Sequence, residues 1–200
     1  MKFVLATRNE HKLREFREAL PGIEIVPLPD DVELPPETGE TFSENAVDKA
    51  RAAHQATGLP SIADDSGIEA AALGGRPGVR SARYAGANAT DEENLQKLLD
   101  EVGAAGDDRS VAYVCALVHV TEDGEEWLFE NRCTGQLATE PRGSGGFGYD
   151  PAFIPDDYDD GRTMAELTPG EKHAISHRGR AAKAFRDWLE ARGSGDEAPQ

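Results

Sequence analysis

Four short stretches of the sequence carry residue types that could do chemistry together. The first is Ala63–Gly67, ADDSG, where two adjacent carboxylates precede Ser-Gly. Hard cations such as Mg2+ take oxygen ligands, usually one or two protein carboxylates completed by phosphate oxygens of a ligand. Side chains of adjacent strand residues point to opposite faces, so one of Asp64 and Asp65 faces a cleft and the other holds the turn or stands behind it. Glu37 or Glu44 could supply a further carboxylate. On this stretch alone, a pair of turn-forming aspartates explains the residues equally well.

The second stretch is LATRNEHK, Leu5–Lys12. A strand ending near Thr7 and a helix capped by Asn9 would aim backbone N–H groups and the positive helix end at an anion. Lys12, one turn in, could reach a bound phosphate. This is not the glycine-lysine loop of the common NTPases, which needs G-x-x-x-x-G-K-[ST]. The third is GSGGFGYDP, where clustered glycines let backbone approach a ligand. There Phe147 and Tyr149 offer ring faces for a base, and Asp150 offers an acceptor. The fourth holds Lys172, His177, Arg178 and Arg180, a basic cluster at a helix start in a chain otherwise poor in base. Together they describe a site for a nucleotide or similar phosphorylated ligand with a divalent metal. They do not specify which bond breaks.

The elements that must position these residues can be read from periodicity and caps. Lys2–Thr7 reads as a buried strand, and Leu13, Phe16 and Leu20 fall at helical spacing until Pro21-Gly22. Ile23–Val26 is a second strand, followed by a proline-rich loop. Thr41 with Glu44 is a capping box opening a helix from Phe42 to about Thr57, stopped by Gly58. Pro60–Gly67 reads as a third strand with a turn at its end. Thr90 with Glu93 caps another helix, and two long strands flank a turn at Asp123-Gly124. Residues 141–155 read as irregular loop, Thr168 with Glu171 caps a short helix, and His177–Arg192 forms the last one. The expected fold is mixed α/β (α+β), with a central twisted mixed sheet flanked by helices and two lobes around a cleft. Residues 1–192 form one two-lobed domain, and 193–200 a frayed tail.

Composition narrows the partners. A formal net charge of -17 over 200 residues argues against a nucleic-acid polymer or an anionic membrane. The acid is dispersed, and arginine outnumbers lysine, which suggests a protein kept soluble at high salt; an ordinary acidic cytoplasmic protein is the rival reading. Hydrophobic content of 38% is low, yet apolar runs recur between turn signals, so the chain folds. Cys115 and Cys133 lie in strand-like runs without metal-binding spacing and read as buried reduced thiols of a cytoplasmic protein. The short N-terminal apolar run is no signal peptide, and no run approaches a membrane helix.

The blocks FVLATRNEHKLREF, ADDSG, GGRPGVRSARYAG, GGFGYDPAFIP and AELTPGEKHAISHRGRAAKAF, in this order, resemble the non-canonical purine nucleoside triphosphate pyrophosphatase family, the inosine/xanthosine triphosphatases. The resemblance runs from Phe3 to about Leu189. It implies hydrolysis of ITP, dITP and XTP to the monophosphate and pyrophosphate, with Mg2+ and a homodimer; whether Mn2+ can replace Mg2+ is left open by the sequence. It implies that Thr7, Arg8, Asn9, Glu10, His11 and Lys12 hold the triphosphate, chiefly through Asn9 and Lys12. Asp65 would accept the proton and bind metal with Glu37, and Ser66 would touch substrate. Phe147, Gly148, Tyr149 and Asp150 would hold base and sugar, with Lys172, His177 and Arg178 completing the pocket. Arg8 departs from the family's small residue and must point away from the phosphates or add a positive contact. A nucleotide sensor without catalysis and a protein-binding module are the rival classes. Intact ADDSG, Lys12 and SHRG oppose the first, and ordinary polar helix faces oppose the second.

Overall fold

The structure, a computed structural model, describes residues 1–193. Of the expected tail, all but Gly193 lies outside the described residues. Strand β1 (Lys2–Leu5) leads into helix α1 (Glu10–Ala19), strand β2 (Glu24–Pro27) and helix α2 (Phe42–Thr57). Strand β3 (Ser61–Ala70), helix α3 (Asp91–Ala105) and the long hairpin β4 (Ser110–Val120) and β5 (Glu126–Leu137) follow. Strand β6 (Phe153–Pro155) and helices α4 (Pro169–Ile175) and α5 (His177–Gly193) complete the described chain. The three capping boxes read from sequence all form, at Thr41, Thr90 and Thr168.

The six strands make one mixed sheet in the order β2-β1-β3-β4-β5-β6. β1 is parallel to both β2 and β3, and the remaining pairs are antiparallel. The chain leaves β1 for β2 on one side, then crosses to β3 on the other. Right-handed crossovers of opposite direction must use opposite faces. Accordingly α1 packs with α5 against Leu5, Ile62 and Leu117, while α2 packs against Val4, Ala63 and Ala116. A third cluster, with Ile68, Leu98, Phe153 and Met164, fills the far end under α3. Helices on both faces explain why β4 is buried at every position from Val111 to Val120.

Two readings need correction. β3 does not turn at Asp64–Gly67; it runs on to Ala70, with Asp64 opposite Leu117 and Asp65 opposite Ala116 of β4. Hydrogen bonding to a long partner carries the strand through residues whose own preference is for a turn. The glycine-rich stretch is not wholly irregular either: its end forms β6, paired with Gly135–Leu137. Three residues including a proline leave no periodic signal to read.

Candidate active-site cleft

The parallel register sets Val4 beside Ser61 and Leu5 beside Ile62. β1 stops there, so β3 continues past its neighbour's carboxyl end carrying Asp64, Asp65 and Ser66. Ligands of open α/β sheets bind where the strand order reverses, outside the carboxyl ends. Here that place is a cavity of about 390 Å³, lined by Thr7, Asn9 and Lys12 from the β1–α1 junction, Asp65 and Ser66 from β3, and residues of the 147–150 loop, α4 and α5. Of the residues singled out in the sequence, only Asp64, Glu10, His11, Glu44 and Arg180 do not line it.

The strand pleat separates the two aspartates. Asp64 is fully buried on the α1–α5 side, where Oδ2 lies 2.9 Å from Lys12 Nζ and 3.3 Å from Arg178 Nε and accepts from Ser66 Oγ at 3.1 Å. Burial would raise its pKa, but Lys12, Arg178 and Lys49 hold it well below the usual carboxylate range. Its Oδ1 has no hydrogen-bond partner. Asp65 turns to the α2 side, accepting from Asn45 Nδ2 at 2.9 Å, with Lys49 Nζ 3.6 Å away. There burial dominates and, with Glu37 nearby, pushes the carboxyl pKa up against the pull of Lys49 and Lys12. Adjacent carboxylates displaced in opposite directions are the pattern of a fixed anion beside a proton acceptor.

Glu37 lies near Asp65, with the Lys49 ammonium between the two carboxylates. Its Oε1 accepts from Lys49 Nζ at 2.6 Å, and Arg83 Nη1 stands 3.6 Å from its Oε2. Glu44 is spent on its cap, accepting from Glu40 N at 2.7 Å and Thr41 N at 3.2 Å, which leaves Glu37 as the cleft carboxylate. Among the described residues no three His, Cys, Asp or Glu side chains converge as a metal cage. Two carboxylates with a lysine ammonium between them nevertheless fit a hard divalent cation, because Mg2+ takes few protein ligands and completes its shell with phosphate oxygens.

At the α1 start, Asn9 Oδ1 accepts from His11 N at 2.9 Å and Lys12 N at 3.2 Å, so part of the expected anion cradle is already filled by its own cap. Arg8 lines the cleft but turns its guanidinium outward, donating to the carbonyls of Leu28, Pro29 and Val32 at 2.6–2.8 Å. It braces the loop after β2, which is the first of the two alternatives, a side chain pointing away from the phosphates. Glu10 is exposed, and His11 stacks on Phe147 at 5.1 Å from outside.

The 147–150 loop is held from several sides. Asp150 Oδ2 accepts from Phe147 N at 2.9 Å and Lys172 Nζ at 2.8 Å, and its Oδ1 accepts from Tyr113 OH at 3.1 Å. Gly146 has φ 72°, and a Cβ there would strike the Asp150 carboxylate. Gly148 N donates to Asp91 Oδ2 at 2.8 Å. Phe147 borders the cleft, with Lys172 Nζ 5.0 Å from its ring centre. Tyr149 also borders it but is buried, its hydroxyl donating to Ser81 O at 2.7 Å. Gly67 makes that neighbourhood possible, since a Cβ there would meet Ser81 Oγ and come within 2.7 Å of Gly78 O.

The late basic cluster divides. Arg178 is buried between Glu15, Asp64 and Ser66, and the two carboxylates hold its pKa up against desolvation. His177 is buried, stacks on Tyr113 at 4.7 Å and is kept neutral by burial and by Arg178 beside it. Arg180 faces elsewhere, donating to Arg132 O at 2.8 Å and pairing with Asp157. Sequence reasoning missed Glu15, Asn45 and Lys49. The signal for two of them is visible: Asn45 and Lys49 stand one turn apart on the face of α2 whose other members are Phe42, Ala46, Ala50 and Ala53. A buried amide and ammonium on an apolar face need partners.

The fold and cleft define a class, the α/β proteins that take a phosphorylated small molecule at the carboxyl end of a parallel strand. The Ham1 family model matches residues 3–188, and the chain belongs to that family. It is 48% identical over 191 residues to a dITP/XTP pyrophosphatase of Cutibacterium acnes, covering 92% of this chain and 94% of the relative. It is 49% identical over 194 residues to another of that name from Photorhabdus laumondii, covering 94% and 98%. A solved HAM1 protein from Coxiella burnetii superposes with a TM-score of 0.87 at 45% identity, covering 96% of this chain and 99% of that one.

Proposed function

We propose that this protein is a nucleoside triphosphate pyrophosphatase that hydrolyses ITP, dITP and XTP to the nucleoside monophosphate and pyrophosphate, clearing such nucleotides from the pool. The observation that carries the reading is the opposed pair: Asp64 buried against Lys12 and Arg178, and Asp65, beside it but across the pleat, lining the cleft with Lys49 and Glu37 close by. In this scheme water attacks the α-phosphorus. A water oxygen–phosphorus bond forms, the bond from that phosphorus to the oxygen leading to the β-phosphate breaks, and pyrophosphate leaves with the electron pair. Asp65 takes the proton of the attacking water. Asn9 and Lys12 meet the phosphates and Ser66 the substrate nearby, while Phe147, Gly148, Tyr149 and Asp150 frame the base and sugar. Lys172 anchors Asp150, and Arg178 with neutral His177 faces the purine 6-oxo edge, which accepts where adenine's amino group cannot.

Glu37 and Asp65 would hold Mg2+, which when bound supplies positive charge and orients phosphate oxygens. The cleft itself argues for that charge. Its cations Lys12, Lys49, Lys172 and Arg178 are already paired with carboxylates, so a triphosphate of roughly four negative charges arrives without free compensation. We read residues 1–192 as one two-lobed catalytic domain acting in the cytoplasm as a homodimer, which light scattering would check. Among the described residues no helix is long and apolar enough to cross a membrane.

A panel of nucleoside triphosphates with early products resolved by chromatography tests the activity. IMP and pyrophosphate from ITP, with ATP and GTP turned over far more slowly, are the expected result. Accumulation of IDP and orthophosphate, or equal rates on ATP and ITP, would overturn the proposal.

A further inference from the structure

We infer that Lys49 holds the place of the divalent cation between Glu37 and Asp65, so that metal and triphosphate bind as a coupled pair. The inference rests on the reading of Glu37 and Asp65 as the metal carboxylates. Lys49 projects from the apolar face of α2 and is only 5% exposed. Its ammonium donates to Glu37 Oε1 at 2.6 Å and lies 3.6 Å from Asp65 Oδ1, between the two carboxylates that would hold the cation. Asn45 fixes the other oxygen of Asp65, and Arg83 stands at the other oxygen of Glu37. The ammonium therefore occupies the side that opens to the cleft, which it lines.

A lysine and a divalent ion cannot share that position. Lys49 and a divalent ion together would bring three positive charges to two carboxylates that Arg83 already borders, and those charges would repel at short range in a poorly solvated site. For the cation to enter, Lys49 must leave, and a buried ammonium needs a new anionic partner. Its flexible four-carbon stem allows a short swing, and the phosphates of a bound nucleotide provide that partner. Metal alone is thus opposed by Lys49, while metal arriving with triphosphate is not. Reciprocity requires that each then raise the affinity of the other.

The test is binding of Mn2+ alone to the full-length protein at pH 8, followed by electron paramagnetic resonance without nucleotide. Lys49→Met should bind Mn2+ about tenfold more tightly than wild type, the size of effect expected of a group acting directly on metal ligands. Lys172→Met, which removes a cleft cation that does not touch Glu37 or Asp65, should change the affinity much less. Addition of α,β-methylene ITP should tighten Mn2+ in wild type and do so less in Lys49→Met. Equal Mn2+ affinity in wild type and Lys49→Met, or an equal gain from Lys172→Met, overturns the inference while leaving the metal pair intact. If Glu37→Gln and Asp65→Asn leave Mn2+ binding unchanged in the Lys49→Met background, the metal pair itself is wrong and the inference falls with it. Lys49→Gln, judged by the same criterion, replaces the Met variant if that protein does not fold.

Discussion

Replacing Asp65 by asparagine exchanges a carboxylate for an amide of nearly the same shape, which cannot accept the proton of water. Turnover should fall by about 10²–10⁴ while nucleotide binding, followed by calorimetry, persists. Near-normal turnover would remove Asp65 as the base. Asp64 predicts a different signature. It is buried with Lys12, Arg178 and Ser66 on one oxygen, and Asp64→Asn leaves those cations short of a partner. Unfolding in urea should show a loss of about 3 kcal/mol, and KM should rise more than kcat falls. If instead Asp64→Asn loses turnover as Asp65→Asn does, with stability unchanged, the roles assigned to the pair are reversed.

At the scale of elements, the cleft depends on how closely the turn around Ser81 approaches β3. Ser81 Oγ accepts from Ile68 N at 2.9 Å, and Ser81 O receives the Tyr149 hydroxyl. Gly67→Ala places a methyl carbon against this turn, 2.7 Å from a backbone oxygen that cannot swing aside. The expected cost is about 1–3 kcal/mol of stability, read from the urea midpoint, with a higher KM because the displaced turn carries Tyr149 with it. An unchanged midpoint and KM would show that the contact relaxes freely. Helix starts were legible because each cap is a local signal of four residues. The extent of β3 and the existence of β6 were not, because both are decided by partners far away in sequence: β4 for one and Gly135–Leu137 for the other.

The whole molecule responds to salt and to protons through charges spread over it. With a net charge of -17, surface repulsion acts over a Debye length of about 30 Å at 0.01 M salt and about 3 Å at 1 M. The melting temperature should climb from dilute buffer to molar KCl with activity retained; a flat or falling curve would mean that the acid has no high-salt role. Protons act through His177 and His119, both held neutral by burial with pKa values below 6.5. Below pH 6.5 the unfolded chain binds protons at these positions and the folded one does not, so stability falls as the pH drops. Each imidazole still neutral in the fold at pH 5.5 contributes a loss of about 1.4 kcal/mol relative to neutral pH. Urea midpoints at pH 7.5 and 5.5 check this, and equal stability at the two would place the folded-state pKa values near 6.5.

By itself the sequence determined the helix starts, the mixed α/β class and the short blocks that mark the family, because caps, periodicity and motifs are properties of neighbours along the chain. It also brought most cleft residues to attention by type. Only the tertiary structure decided which aspartate faces which side, since the pleat sends Asp64 to Lys12 and Arg178 and Asp65 to Asn45 and Lys49. Only it turned the Arg8 guanidinium outward at the cleft wall, set Arg180 elsewhere and brought Glu15 between Lys172 and Arg178. A charged side chain settles where its partner lies, and those partners stand up to 163 positions away along the chain.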